Sequence, residues 1–522
     1  MKKIFLLSML VLAFAATAYS QDVKLDFRAS GFIDMRTGMY RNINWENQIT
    51  GARSGFFDVL GPESKPGTGP HGSNGGEWNK TASWIENRAR LKFDAVMGKE
   101  LSGTFFFEFD SRTWGDFPTS GATQPEGRNQ IGFWSADRAG LEVKNIYFDV
   151  AVPYIPIPVT VRVGLQPIAI RTGVFMYVDG EGITAAAKLD PVTIIGIYSK
   201  VFEGRIAASD DIDIWALHVN AKLDKVTVGG YALYQNARSY PMNATSATSQ
   251  TVYGISDDSM KSQMWWLGAY MDGRVGPVDV NFDFSYDTGD VQKKFETDPT
   301  IPDKVKYNGW MAKLKIDFPW EAFNFGTVWS YGSGADARRT DKFGLPNNKV
   351  ADPASAAAGV YSDKMGSYAV PIESEAQAGD SEVLYGSVVN GGFTGVLYGG
   401  DGYKMFRGPL GGQWFGKLYA SYKATPDIKL TLQGLYIGDT TKNGDTIGTS
   451  RNITGETLKN NSTIGWEMDI IGEWQIYKNL NFKASFGYLW GGDAIKFWNP
   501  ATGTNEKPKD PWVFFTNLNY SF

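Results

Sequence analysis

The chain has no cysteine among its 522 residues, which removes disulfide frameworks, thiolate metal sites, cysteine nucleophiles and covalently attached c-type haem. Histidine is nearly as scarce, with only His71 and His218, so a Ser/His hydrolase has at most His218 and a nearby serine to draw on. Neither sign of charge dominates: 51 Lys and Arg stand against 56 Asp and Glu, and nothing in that balance points to nucleic acid. Long apolar runs are missing too. The longest, Ile4 to Ala16, follows Lys2 and Lys3 and falls short of the ~20 residues a membrane helix needs. It reads as a secretory signal peptide over 1–20, cleaved after Ser20, with Ala18 as the alternative. Loss of its two lysines takes the formal charge from −5 to −7.

What is present is an unusual pairing: 60 glycines and 14% aromatic residues in a chain of polar mean hydropathy. A membrane β-barrel reconciles the two, because its strands turn apolar side chains to lipid and polar ones to a watery lumen. Strict alternation supports this. In 24–36, Leu25, Phe27, Ala29, Ile33 and Met35 share one face, and Asp26, Arg28, Ser30, Asp34 and Arg36 the other. In 84–97, Glu86, Arg88, Arg90, Lys92 and Asp94 form the polar face. The same period recurs along the chain to 512–522, where Phe514, Leu518, Tyr520 and Phe522 share a face. A final strand of that kind resembles the targeting strand of outer-membrane proteins.

Counting such segments predicts an all-β fold, a transmembrane antiparallel barrel of about 18 strands with 16 as the alternative. Residues 21–522 form the barrel. Short turns, such as Gly98-Lys99-Glu100, Asp190-Pro191, Asp224-Lys225, Gly276-Pro277, Pro319-Trp320-Glu321 and Lys478-Asn479, alternate with long polar loops. That asymmetry assigns the turns to the periplasm and the loops to the exterior of an outer membrane. Two loops, about 37–82 and 332–411, are long enough to fold over the mouth, and Asn390-Gly391 suggests a hairpin over 383–398. Between Lys144 and Ile146 the apolar phase shifts, the mark of a β-bulge.

Arg28, Arg36, Arg88, Arg90, Lys92, Arg112 and Arg162 all fall at lumen positions of the first five strands and make a basic wall. The stretch 166–182 follows, with Arg171 and then Asp179 and Glu181 between glycines. Folded inward as a loop, it sets these acids against the wall, and the resulting transverse field selects solutes by charge. The alternative is that acids and bases pair within the wall. Other motifs fail on context. Gly67 to Gly72 fits GxGxxG without a strand and helix around it, and Asp287-Thr288-Gly289 closes a run of lumen acids. Asp210, Asp211 and Asp213 could hold calcium but lack EF-hand spacing. Trp320, Trp329, Tyr331, Tyr286, Trp414, Trp474 and Trp490 suit membrane-interface anchoring, whereas Trp266 and Tyr270 read as lumen-facing candidates for sugar stacking.

Residues 88–114 (RARLKFDAVMGKELSGTFFFEFDSRTW), 159–170 (VTVRVGLQPIAI) and 177–183 (YVDGEGI) resemble the early hairpins of general bacterial outer-membrane porins. They are most similar to the homotrimeric porins of sulfate-reducing and related bacteria. The resemblance implies a homotrimer with an inward third loop, a water-filled channel for ions and small hydrophilic solutes, outer-membrane lipid as partner and no cofactor. The long loop at 332–411 departs from the compact porin pattern, which leaves a gated or substrate-selective channel open. A barrel sheathing a periplasmic multihaem cytochrome is the other reading, and an inward constriction would block it. No constellation of residues supports an enzyme.

Overall fold

Alternating sequences of this kind can satisfy their backbone hydrogen bonds inside a bilayer only by closing into a ring, since every unpaired N–H or C=O there costs several kcal/mol. The computed structural model of the chain does close. It describes residues 25–42, 81–114, 141–203, 210–238, 260–293, 304–336, 364–371, 374, 380–385, 410–453, 455 and 457–522. The signal peptide, most of the loop at 37–82, the GxGxxG segment with His71, and the hairpin expected beyond Tyr385 lie outside them.

In chain order the strands are β1 (Leu25–Arg41), β2 (Ala82–Met97), β3 (Leu101–Thr113), β4 (Glu142–Ala151), β5 (Val159–Ile170) and β6 (Met176–Leu189). Then come β7 (Val192–Phe202), β8 (Ile212–Leu223), β9 (Val226–Ala237), β10 (Met260–Val275), β11 (Val278–Lys293) and the short β12 (Lys304–Tyr307). They are followed by β13 (Trp310–Trp320), β14 (Phe323–Gly332), the two-residue β15 (Lys364–Met365), β16 (Gln413–Thr425) and β17 (Ile428–Asp439). The last are β18 (Thr463–Tyr477), β19 (Leu480–Gly491), the small pair β20 (Phe497–Asn499) and β21 (Thr504–Glu506), and β22 (Trp512–Ser521). β20 and β21 form a separate sheet, and β12 and β15 are side additions. The remaining eighteen pair antiparallel in sequence order, and β1 bonds both β2 and β22. The barrel is therefore closed with eighteen strands, not sixteen. Gly31 and Phe522 exchange both backbone bonds, at 2.9 and 3.0 Å, sealing the seam.

The two faces separate as the alternation predicts. Phe27 is 73% exposed on the outer face, whereas Arg36 pairs with Glu86 at 2.7 Å on the inner one. One rim consists of tight turns, with Asp224 and Gly276 at positive φ; the other carries the long connections. β13 runs through Trp320, so that turn is Glu321-Ala322, one step later than expected. Trp320, Trp329, Trp474 and Trp490 stand exposed on the outer face. The bulge expected at Lys144–Ile146 is present: Phe106 faces Asn145 and Phe107 faces Val143, leaving Lys144 as the extra residue.

Candidate functional site

The β5–β6 hairpin leaves the wall. Pairing of β4 with β5 ends at Ile146–Leu165, and pairing of β6 with β7 ends at Gly182–Ser199. β5 and β6 nevertheless stay paired with each other as far as Ile170–Met176. The bend falls at Gly164 and Gly182, which face each other across the hairpin. Gly164 has φ +126°, and a Cβ there would stand 2.3 Å from the Ile146 carbonyl oxygen. Gly164→Ala should therefore introduce strain of ~1–3 kcal/mol, seen as a lower urea midpoint for the compact band in unheated electrophoresis. An unchanged midpoint would show that the bend does not depend on this glycine.

Beyond the bend the hairpin has two unlike faces. Ile168, Ile170, Phe175 and Met176 are almost fully buried, together with Ile214, Leu233 and Trp266 from the inner wall. Phe175 stacks on Tyr231 at 4.5 Å. Burying four such side chains contributes roughly 6–12 kcal/mol before the entropy of ordering them. At the tip Arg171 forms ion pairs with Asp272 and Asp283, and its guanidinium lies 4.2 Å over the Tyr270 ring. Trp266 and Tyr270 do face inward, but the hairpin covers them; Trp266 donates to the Ala369 carbonyl at 2.9 Å. Neither offers a free ring to a sugar.

The hairpin's other face turns to the basic wall. Asp179 accepts from Lys144 at 2.6 Å and from Asn145 at 2.8 Å. Lys144 also reaches Glu108 at 3.3 Å. Glu108 in turn receives Arg88 at 3.1 Å and Arg90 at 2.9 Å, so three cations converge on it. Lys92 pairs with Asp94 at 3.0 Å. Arg162 grips Asp149 through two bonds of 2.8 and 2.9 Å, and Arg28 pairs with Asp26 at the tight-turn rim. The expectation of an acidic loop needs correction: the loop proper is only 171–175, and Asp179 and Glu181 are residues of β6. Glu181 is exposed. Arg112 also differs. A bulge at Asp110-Ser111 brings it opposite Asn87 rather than an inward residue, out of phase with Arg88 and Arg90.

A second element enters the lumen from the long connection between β14 and β16. Its near end is held at β10 and β11, where Asp287 accepts the Gly309 and Ala369 amides at 2.8 and 2.9 Å. Ser374 donates to the Phe175 carbonyl at 2.9 Å, so the two inward elements meet. The far end, 380–385, lies against β13 and β16–β19. Asp380 receives Lys313 at 2.6 Å, Glu382 receives Lys483 at 2.9 Å, and Glu467 accepts the Val383 and Leu384 amides at 2.6 and 3.0 Å. Residues 383–385 are bends rather than strand, so the start of the expected hairpin lies buried in the barrel.

Together these elements pack on inner-wall residues of β8–β11, β13 and β16–β19. On β2, Arg88 and Arg90 keep about a fifth of their side-chain surface. Lys144 was missed as a site residue because the bulge hides its direction. His218 contacts Tyr270 at 2.8 Å beneath the hairpin tip. Lys200 pairs with Asp211 at 3.1 Å, and Tyr198 donates to Asp213 at 3.0 Å, so these two acids are engaged by side chains of β7.

No family profile and no curated protein sequence matches the chain. Among solved structures it is similar to OccK8 (OprE) of Pseudomonas aeruginosa, at 10% identity and TM-score 0.46 over 95% of this chain and 98% of that one. It is also similar to OpdQ of the same organism, at 9% identity and TM-score 0.47 over the same shares. A third is the outer membrane protein OpdK, at 9% identity and TM-score 0.45 over 95% and 98%. The assignment as an eighteen-stranded barrel rests on the strand pairing itself.

Proposed function

We propose that the chain forms a water-filled channel in the bacterial outer membrane through which ions and small hydrophilic solutes diffuse passively, as through a general porin. The observation that carries this reading is the charge cluster on the inner wall. Two inward elements narrow the lumen, and Arg36, Arg88, Arg90, Lys144, Glu108 and Asp179 gather on the inner face of β1–β4 and the hairpin opposite. Opposed fixed charges across a narrow polar path weight solutes by charge and orient dipoles. Because the bases of the wall are paired, its field is local rather than that of an unbroken basic surface. The apolar outer band and the asymmetry between tight turns and long loops support outer-membrane placement with the turns in the periplasm. The resemblance of the early hairpins to porins of sulfate-reducing bacteria supports a homotrimer.

A substrate-selective channel is the second reading, favoured by the inward residues 366–371, 374 and 380–385, which general size filtering does not need. A sheath around a threaded cytochrome requires an unobstructed lumen, and both inward elements stand in its way.

Planar-bilayer recording of the refolded protein tests the proposal. Asp179→Asn with Glu181→Gln removes two negative charges from the hairpin's lumen face and leaves Lys144 with Glu108 as its acidic partner. The reversal potential in asymmetric salt should shift toward anion preference by several millivolts or more. An unchanged potential removes the hairpin from the selectivity filter. Silent membranes from correctly folded protein would sink the open-channel reading.

A further inference from the structure

Near the long-loop rim the outer wall carries a row of rings. Trp215, Tyr234 and Trp265 follow one another at 5.7 and 4.7 Å, and amphipathic rings of this kind mark where lipid meets water. β10 and β11 run on beyond that row, and β12 and β15 extend their sheet sideways. The pairing fixes which way the side chains point. Ser262, Met264, Val291, Val305 and Met365 are buried on the inner side, so the residues between them face out. Two residues beyond Trp265 the outward row reads Gln263, Asp290, Lys306 and Lys364; four residues beyond, it reads Lys261, Gln292 and Lys304. All four lysines are exposed. Among the described residues of β10, β11, β12 and β15 beyond Trp265, Asp290 is the only outward carboxylate, and it pairs with Lys304 at 2.7 Å.

We infer that this lysine patch binds the phosphate groups of an anionic lipid in the outer leaflet. The inference rests on the outer-membrane reading above, which puts the long-loop rim at the cell exterior. Height is the first argument. A strand advances ~3.4 Å per residue, and a tilt of ~40° leaves the two rows about 5 and 10 Å above Trp265. The headgroup layer is itself about 5–7 Å deep, so ammonium groups on flexible stems meet phosphates there rather than hydrocarbon.

Orientation is the second argument. The lysines point sideways into the lipid layer, neither in toward the pore nor up into the medium, where a dissolved anion would meet them. The third is repulsion. Lys306 and Lys364 stand directly opposite each other, and like charges so placed destabilise a sheet. A phosphate between them turns that repulsion into two charge-assisted hydrogen bonds. Further round the same rim Lys200 shows the other solution, held between Glu203 and Asp211. Strands ~4.8 Å apart make the patch about 15 Å wide, room for more than one phosphate.

The test titrates lipid onto the full-length protein in detergent micelles and counts bound lipid by native mass spectrometry. The probes are bisphosphorylated lipid A and the same lipid stripped of both phosphates. Each basic residue beside an anionic lipid surface strengthens attachment about fivefold. Lys261→Gln, Lys304→Gln, Lys306→Gln and Lys364→Gln together should therefore weaken binding of the phosphorylated lipid about 100-fold and leave that of the stripped lipid unchanged. Lys99→Gln, Lys222→Gln, Lys225→Gln and Lys423→Gln, exposed at the tight-turn rim, remove the same charge and should leave the preference for phosphate intact. Equal binding of both lipids by the unaltered protein, or equal weakening by both sets, would overturn the inference. So would displacement of the lipid by equimolar inorganic phosphate, which would make the patch a site for dissolved anions. Failure of the folded protein to enter bilayers would overturn the outer-membrane reading and this inference with it; normal conductance without any preference for phosphate would overturn this inference alone.

Discussion

Arg171→Ala combined with Phe175→Ala is expected to raise single-channel conductance several-fold and to add flicker on the bilayer timescale. The hairpin tip is held by two attachments of different kinds. Arg171, with 18% of its side chain exposed, bridges Asp272 and Asp283, and removing one partner of a largely buried ion pair typically costs ~3–5 kcal/mol. Phe175, fully buried against Tyr231, loses a comparable ~3–5 kcal/mol on truncation. Those losses approach the whole apolar contribution of the hairpin, whereas the barrel's own ladder is untouched, so the opening is local rather than global. Asp272→Asn with Asp283→Asn should reproduce part of the effect, because Arg171 then keeps its packing on Tyr270 without its charge partners. Unaltered conductance from an intact double-alanine barrel would mean that the hairpin does not set the narrowest section.

Much of this architecture could be read from the sequence because a lipid-facing strand must alternate at every residue. All eighteen barrel strands announce themselves in that way, and so does the inward parity of Trp266 and Tyr270. The hairpin was harder. Ile168, Ile170 and Met176 on one face, and Asp179 and Glu181 on the other, alternate like any membrane strand, yet here the apolar face meets the inner wall and the polar face meets the pore. Alternation reports two unlike environments without saying which they are. Only the paired glycines Gly164 and Gly182 marked the departure. Lys144 was concealed by an extra residue that breaks the phase, and Arg112 lost its phase at another bulge. The second inward segment left still less trace. Its anchors pair Asp380 with Lys313 and Glu382 with Lys483, partners 67 and 101 residues apart, and no local pattern in a single sequence connects charges at that distance.

That second segment gives the other large expected effect. Glu467 lies on the inner face of β18 at 2% exposure, and its two carboxylate oxygens accept the amides of Val383 and Leu384. Glu467→Ala removes both acceptors at once and leaves two buried N–H groups unsatisfied, at ~1–3 kcal/mol each. Amide exchange at 383 and 384 should accelerate by at least ~10-fold, given that ~1.4 kcal/mol corresponds to tenfold, and conductance should rise as 380–385 detaches. Glu382→Ala should do less. Its partner Lys483 keeps 34% of its side-chain surface, so solvent already screens that pair and replaces the lost bond. The ordering of the two variants separates the possible causes. If Glu467→Ala loosens the segment more than Glu382→Ala, backbone capture by a buried carboxylate holds it in the lumen. If the order reverses, the segment is held by its ion pairs, and its position should then depend on ionic strength.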